Sequence, residues 1–269
     1  MRRWVRVVLT GVAFLALFGG GGVLAATVFP LLALRRDDRG ACAQRLIGAS
    51  FRLYLAALRG LGLLRLEVAG RERLAAAGGA IVVANHPSLL DVVLLMAALP
   101  RATCIVKHAY WERGLSGFLL GGLVRRAGYL RNDLPAPAML AACRAALASG
   151  AAVIVFPEGT RTVPGRPPRF ARGFANLALA CGAPLLPVLI DVAPPTLGKG
   201  EPWWRVPAEP PCFRLWAGPA LVTETVARTF GRESRGRAAR RLTAAIARCY
   251  EAGTGGNAEA FVIGLQSIV

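Results

Sequence analysis

The sequence predicts an α/β fold: a mixed, largely parallel sheet flanked by helices, preceded by an N-terminal two-helix membrane-associating segment. Three observations predict it. Short apolar, β-rich runs at 80–84, 103–107, 151–156 and 184–190 alternate with helix-periodic stretches, the pattern of strands joined by crossover helices. Two of these runs end in polar motifs, Asn85-His86-Pro87-Ser88-Leu89-Leu90-Asp91 and Phe156-Pro157-Glu158-Gly159-Thr160-Arg161, where open sheets keep their sites. The chain also opens on a stretch from Val7 to Leu34 with no charge at all. With 269 residues, 55% of them hydrophobic, one sizeable core can be filled. The expected division is 1–64 for the membrane-associating helices, 65–252 for the α/β domain and 253–269 for a C-terminal tail.

The opening stretch exceeds the ~20 residues that cross a bilayer core. Gly19 to Gly22 interrupt it, which predicts a bend or a close helix contact near its middle. A single span competes with two other readings. Arg2, Arg3 and Arg6, the apolar run and Val23-Leu24-Ala25 resemble a cleavable signal peptide; a re-entrant or monotopic hairpin is the other. Arginines flank both ends, so charge does not choose a side. The next helix, about 41–66, places Arg45, Arg52 and Arg59 at seven-residue intervals on one stripe among Leu46, Ile47, Phe51, Leu53 and Leu58. A basic stripe on an apolar helix suits a membrane interface, and it equally suits a helix packed on the core with its arginines in water.

Strands are then expected at 66–68, 80–84, 103–107, 127–131, 151–156, 184–190 and 213–217. Helices are expected at 87–98, 115–126, 136–149, 172–181 and 235–251. The Val163-Pro164-Gly165-Arg166-Pro167-Pro168-Arg169 stretch cannot be helical, and 193–211 is a Pro-rich insertion carrying Trp203 and Trp204. Paired tryptophans suit either a membrane interface or a cap on the core.

The chemistry lies in the two motifs. Five steps along a helix turn through roughly 500°, so helical His86 and Asp91 would point about 140° apart. With Pro87 at the first helical position, His86 becomes the cap and Asp91 sits one turn inside. A side chain folded back from the cap then reaches Asp91. The carboxylate fixes the imidazole tautomer and leaves the other ring nitrogen to take a proton. No nucleophile accompanies this pair, because Ser88 lies in no Gly-x-Ser-x-Gly elbow. The nucleophile is therefore expected to be a substrate hydroxyl. Arg161 supplies a planar guanidinium that can grip phosphate with two bonds.

These blocks, with Lys107 in a short strand, Arg169-Phe170-Ala171-Arg172-Gly173 and the strand from Pro184 to Val188, resemble the glycerolipid acyltransferases typified by 1-acylglycerol-3-phosphate acyltransferase. The resemblance covers about 65–220. It implies His86 and Asp91 as catalytic residues, with Asn85, Lys107, Glu158, Gly159, Thr160, Arg161 and Arg172 as substrate-binding residues. It also implies direct attack of a lipid hydroxyl on an acyl-CoA or acyl-carrier-protein thioester, with no further cofactor. A departure occurs at Gly128-Tyr129-Leu130-Arg131-Asn132-Asp133, where this family carries a Gly-x-Ile-Phe-Ile-x-Arg stretch. The expected acceptor is a lysophospholipid of the 1-acylglycerol-3-phosphate type, with lyso-ornithine lipid or a glycolipid as the alternative that this departure keeps open. For Glu158, an ion pair with Arg161 and contact with the acceptor's hydroxyls are weighed equally, and the N–H groups around Gly159 are candidate anion donors.

The net charge of +18 comes almost wholly from arginine. Such a field attracts anionic lipid headgroups and nucleic acid alike. Dispersed arginines, few aromatics and the apolar opening favour lipid over nucleic acid. Six cysteines without a Cys-x-x-Cys pair and two histidines argue against a metal site. His108 is expected to pack against another layer while Lys107 faces the site. The resemblance further implies attachment to a bacterial inner membrane with the catalytic domain on the cytoplasmic side, where acyl-carrier thioesters are found. A thioester hydrolase using water and a non-catalytic lipid- or nucleic-acid-binding module are the rival classes. The first would release label from the acyl donor only as free acid; the second would be indifferent to His86→Ala.

Overall fold

Seven strands form one sheet in the computed structural model, which describes residues 2–27, 39–108, 125, 127–223 and 234–268. They are β1 (Arg65–Ala69), β2 (Ile81–Ala84), β3 (Ala102–Val106), β4 (Leu130–Arg131), β5 (Ala152–Val155), β6 (Leu185–Ala193) and β7 (Cys212–Ala217). Their order is β1-β7-β6-β2-β5-β3-β4. Every neighbouring pair is parallel except β6 with β7. The mixed, largely parallel sheet expected from the alternation is therefore present.

Strand β2 shows why the interior runs are uninterrupted apolar residues. Ile81, Val82, Val83 and Ala84 are all fully buried, because a parallel sheet is covered on both faces. Ile81 and Val83 pack into one core, Val82 and Ala84 into the other. The Val82 side is covered by helix α2 (Arg39–Gly60), the short α3 (Arg71–Ala75) and α4 (Asp91–Ala98); α5 (Ala136–Ala148), α6 (Gly173–Cys181), α7 (Arg235–Ala252) and α8 (Ala258–Gln266) cover the Ile81 side. Each large side chain so buried contributes roughly 1.5–3 kcal/mol.

Helix α1 (Arg3–Ala26) is long and apolar enough to cross a bilayer by length and composition. It runs unbroken through Gly19 to Gly22, and among the described residues nothing lies within contact distance of a Cβ placed at Gly19, Gly20 or Gly22. The expected bend or close contact is absent because i to i−4 hydrogen bonds hold the glycines regardless of their low helix propensity. One side of α1 rests on the domain. The indole of Trp203 meets Gly11 and lies 6.1 Å from Phe14 between ring centroids, and Arg6 donates to the carbonyls of Pro207 and Ala208. Trp4, Val8, Val12 and Leu15 form the exposed side. In α2, Ala43, Ile47, Leu55 and Leu58 are buried while Arg45, Arg52 and Arg59 are exposed, so the helix is anchored on the core with its basic stripe outward.

The C-terminal tail, to which the sequence assigned no structure, packs on the domain. Residues 254–256 form a single 3-10 turn, and α8 packs Phe261 and Leu265 into the core against α7, with Phe261 5.0 Å from Tyr250 between ring centroids. Helix α3 went unforeseen because five residues carry no readable period. The expected helix at 115–126 lies outside the described residues apart from Arg125.

Candidate active site

Strand β2 leaves the sheet at Ala84, and the departure builds the site. A regular parallel register pairs the Val83 carbonyl with the Val188 N–H. The Tyr250 hydroxyl of α7 adds a second link there, donating to the Val83 carbonyl at 2.6 Å and accepting from the Val188 N–H at 3.0 Å. Two residues on, the Asn85 side chain stands in for backbone: its amide donates to the Ile190 carbonyl and its oxygen accepts the Ile190 N–H, both at 2.7 Å. Asn85 was expected to bind substrate; its donor and acceptor instead fix the turn to β6.

His86 follows on that turn. Its Nδ1 lies 2.8 Å from Oδ2 of Asp91, which also accepts the Ser88 N–H at 2.7 Å. The route to this contact differs from the one the spacing suggested. Pro87 is not the first helical residue, since 88–90 form a turn and α4 begins at Asp91 itself. Turn geometry, rather than a fold back over a helical turn, aims the two side chains at each other. Asp91 is fully buried, and burial pushes its carboxyl above its ordinary pKa; the hydrogen bond and charge of His86 and the Ser88 N–H oppose that shift. The His86 side chain is 17% exposed and stacks on Phe156, with ring centroids 4.2 Å apart. Nε2 has no hydrogen-bond partner among the described residues. An ionised Asp91 selects the tautomer with hydrogen on Nδ1, which leaves Nε2 with its lone pair open to a ligand. Ser88 is buried, its hydroxyl accepting the Leu90 N–H at 3.4 Å.

The second motif is stitched to the first. The His86 N–H is shared between Oε1 of Glu158 (3.2 Å) and the hydroxyl of Thr162 (3.1 Å); that hydroxyl donates to Glu158 at 2.6 Å, and the Thr162 N–H donates to the His86 carbonyl at 2.7 Å. Glu158 therefore forms no ion pair with Arg161. Gly159 adopts φ of 65°, a left-handed turn that glycine accepts without strain. Its N–H closes that turn onto the Phe156 carbonyl, so it is not available as an anion donor. Arg161 is half-buried, and its Nη1 donates to the carbonyls of Leu197 and Gly198 at 2.9 and 2.8 Å. Nη2 and Nε have no partner among the described residues. Thr160 lies half-buried between Gly159 and Arg161.

Two expected residues stand further out. Lys107 is exposed just beyond β3 and makes no hydrogen bond or ion pair among the described residues. Arg172 is exposed at the N-terminal cap of α6. His108 does not enter another layer: it lies 3.4 Å from Asp133, which also holds Arg131 through two contacts of 3.0 and 2.7 Å. Thr162, Tyr250 and Leu197 were missed, because each acts through residues more than 30 positions away that no local pattern links to it. Beyond Phe156 lies a cavity of about 650 Å³ at the C-terminal ends of β3 and β5, lined by apolar residues such as Ile105, Met139, Phe174 and Leu177, with Asn132 and Arg235 among its polar members.

Residues 65–191 match the sequence model of the family described as Acyltransferase. A 1-acyl-sn-glycerol-3-phosphate acyltransferase of Cocos nucifera is 32% identical over 118 residues, 41% of this chain and 37% of that protein. The alpha form of Homo sapiens is 31% identical over 143 residues, 52% of this chain and 50% of that protein. The chain thus spans between about a third and a half of the length of these relatives. The crystal structure of the 1-acyl-sn-glycerophosphate acyltransferase PlsC from Thermotoga maritima superimposes with a TM-score of 0.65 at 22% identity, over 91% of this chain and 100% of that one, a likeness of fold.

Proposed function

From the place of residues 65–191 in the acyltransferase family, we propose that the chain is a membrane-bound O-acyltransferase that moves a fatty acyl group from an acyl-CoA or acyl-carrier-protein thioester to the hydroxyl of a lysophospholipid of the 1-acylglycerol-3-phosphate type. The observation that carries this reading is the 2.8 Å contact between His86 Nδ1 and Asp91 in a site whose Nε2 is open. Nε2 takes the proton of the acceptor hydroxyl as its oxygen bonds to the thioester carbonyl carbon. The tetrahedral intermediate then expels the thiolate, which leaves as thiol with that proton. Asp91 stabilises the imidazolium in between. The two open nitrogens of Arg161 suit two oxygens of a phosphate, and the apolar cavity beyond Phe156 suits a hydrocarbon chain. Helix α1 supports attachment to a membrane, and a thioester donor drawn from the cytoplasm would suit a catalytic domain on the cytoplasmic side of a bacterial inner membrane.

One observation favours a second acceptor. Asp133 engages Arg131 in the block that departs from the family pattern, which withdraws one cation from any phosphate. Lyso-ornithine lipid or a glycolipid is then the alternative acceptor for the same chemistry. The test is incubation of purified protein with labelled acyl-CoA or acyl-carrier protein and each acceptor in turn. Label is expected in diacylated phosphatidate and absent with His86→Ala. Label only in free fatty acid would establish a hydrolase, and transfer to another acceptor alone would replace lysophosphatidate.

A further inference from the structure

The carbonyls that hold Arg161 belong to an unusual turn. Leu197 has φ of 55°, and among the described residues it is the only non-glycine in the left-handed region, a conformation costing about 1–2 kcal/mol. Strain of this kind persists where surrounding contacts determine it. Three contacts do so. The Leu197 carbonyl accepts the Leu89 N–H, within the turn between His86 and Asp91, at 3.2 Å as well as Arg161 Nη1. The Leu197 side chain is buried. Glu201 closes the turn from outside: its Oε2 accepts the Gly198 N–H at 3.0 Å, and its own N–H donates to the Gly198 carbonyl at 3.2 Å. The carboxylate thereby fixes the peptide plane that carries the Leu197 carbonyl, while the Glu201 N–H holds the Gly198 carbonyl.

We infer that Glu201 is a positioning residue for Arg161, acting through the Leu197–Gly198 turn to present Nη2 and Nε as a paired edge to the anionic group of the acceptor. This rests on the reading of Arg161 as the acceptor's anchor. Two carbonyls on Nη1 fix the guanidinium plane, and a planar donor pair recognises two phosphate oxygens only when that plane is fixed. Without the carboxylate, the Gly198 N–H loses its acceptor and the turn is free to relax out of the left-handed conformation. The guanidinium then keeps its charge and loses its direction.

The experiment compares steady-state kinetics of the full-length chain on 1-acylglycerol 3-phosphate and on the uncharged 1-acylglycerol. Glu201→Ala is expected to raise KM for the phosphorylated acceptor on the order of tenfold. Its kcat, its donor KM and its turnover of the uncharged acceptor should stay near parental values. Glu201→Gln keeps an acceptor oxygen and should restore most of the loss. Gly198→Ala provides an independent variant, since a Cβ there would stand 3.3 Å from Glu201 Oε2 and shift the carboxylate by a few tenths of an ångström without removing its charge; it should raise the same KM by a smaller factor even if Glu201→Ala folds poorly. Equal losses on both acceptors, or an unchanged KM in Glu201→Ala and Gly198→Ala, would overturn the inference. Arg161→Ala separates this from the functional reading: an unchanged acceptor KM there sinks the anchor itself, whereas a raised KM there beside a normal Glu201→Ala sinks only the positioning role.

Discussion

Asp91 is a carboxylate kept at an energetic disadvantage. It is fully buried, and its Oδ1 has no partner among the described residues. Burial raises its pKa above the ordinary 3.8, so the folded protein binds that proton more tightly than the unfolded chain does. The resulting stabilisation is present below the unfolded pKa and is lost as pH rises through the folded one. Asp91→Asn cannot ionise, so its stability relative to the parent is expected to improve from acid toward neutral pH in urea unfolding; a difference independent of pH would contradict this. The same substitution should lower kcat by on the order of 10²–10⁴, because the imidazolium loses its counter-charge. Thr162→Val removes the hydroxyl that joins His86 to Glu158. It should cost about 1–3 kcal/mol and lower kcat more than it raises either KM. The His86–Asp91 contact was legible because only five residues separate the pair. Thr162 was not, since its partner His86 lies 76 residues away.

Elements were legible where a period or a β-rich run extended far enough. The strands of the central sheet and helices α5 and α7 lie within a few residues of their expected limits. Helix α4 starts four residues late because Asp91 and Ser88 form a turn that the Pro87 signal concealed. The junction of β2, β6 and α7 was invisible, since a tyrosine in an amphipathic helix gives no sign that its hydroxyl enters a ladder. Tyr250→Phe leaves the Val188 N–H and Val83 carbonyl without their bridge. It should destabilise by about 1–3 kcal/mol and reduce kcat at nearly constant KM, because the strand that carries His86 is the one released. Gly218→Ala tests the packing of α8: a Cβ there would collide with Leu265. The expected loss is about 1–3 kcal/mol in thermal or urea unfolding, and no loss would mean that α8 is loosely held.

At the scale of the molecule, charge and apolar surface act together. A field of +18 draws anionic headgroups at roughly 1 kcal/mol for each basic residue near the surface, and salt screens it within about 10 Å at 0.1 M and 3 Å at 1 M. Binding to vesicles rich in phosphatidylglycerol should therefore fall at least about tenfold across that range, while the residue held by the exposed side of α1 persists; salt-independent binding would assign attachment to apolar contact alone. The α/β class was legible because alternation is a property of the whole chain. The docking of α1 against the 193–211 insertion was not, because it joins segments nearly 200 residues apart. Distance along the chain has another outcome in the bridge at Val83. Its two ends are 167 residues apart, so as the polypeptide leaves the ribosome β2 emerges well before the tyrosine that grips it. A chain stopped short of α7 holds the strand that leads to His86 without that grip. The turn that carries His86 is fully gripped only once α7 has docked.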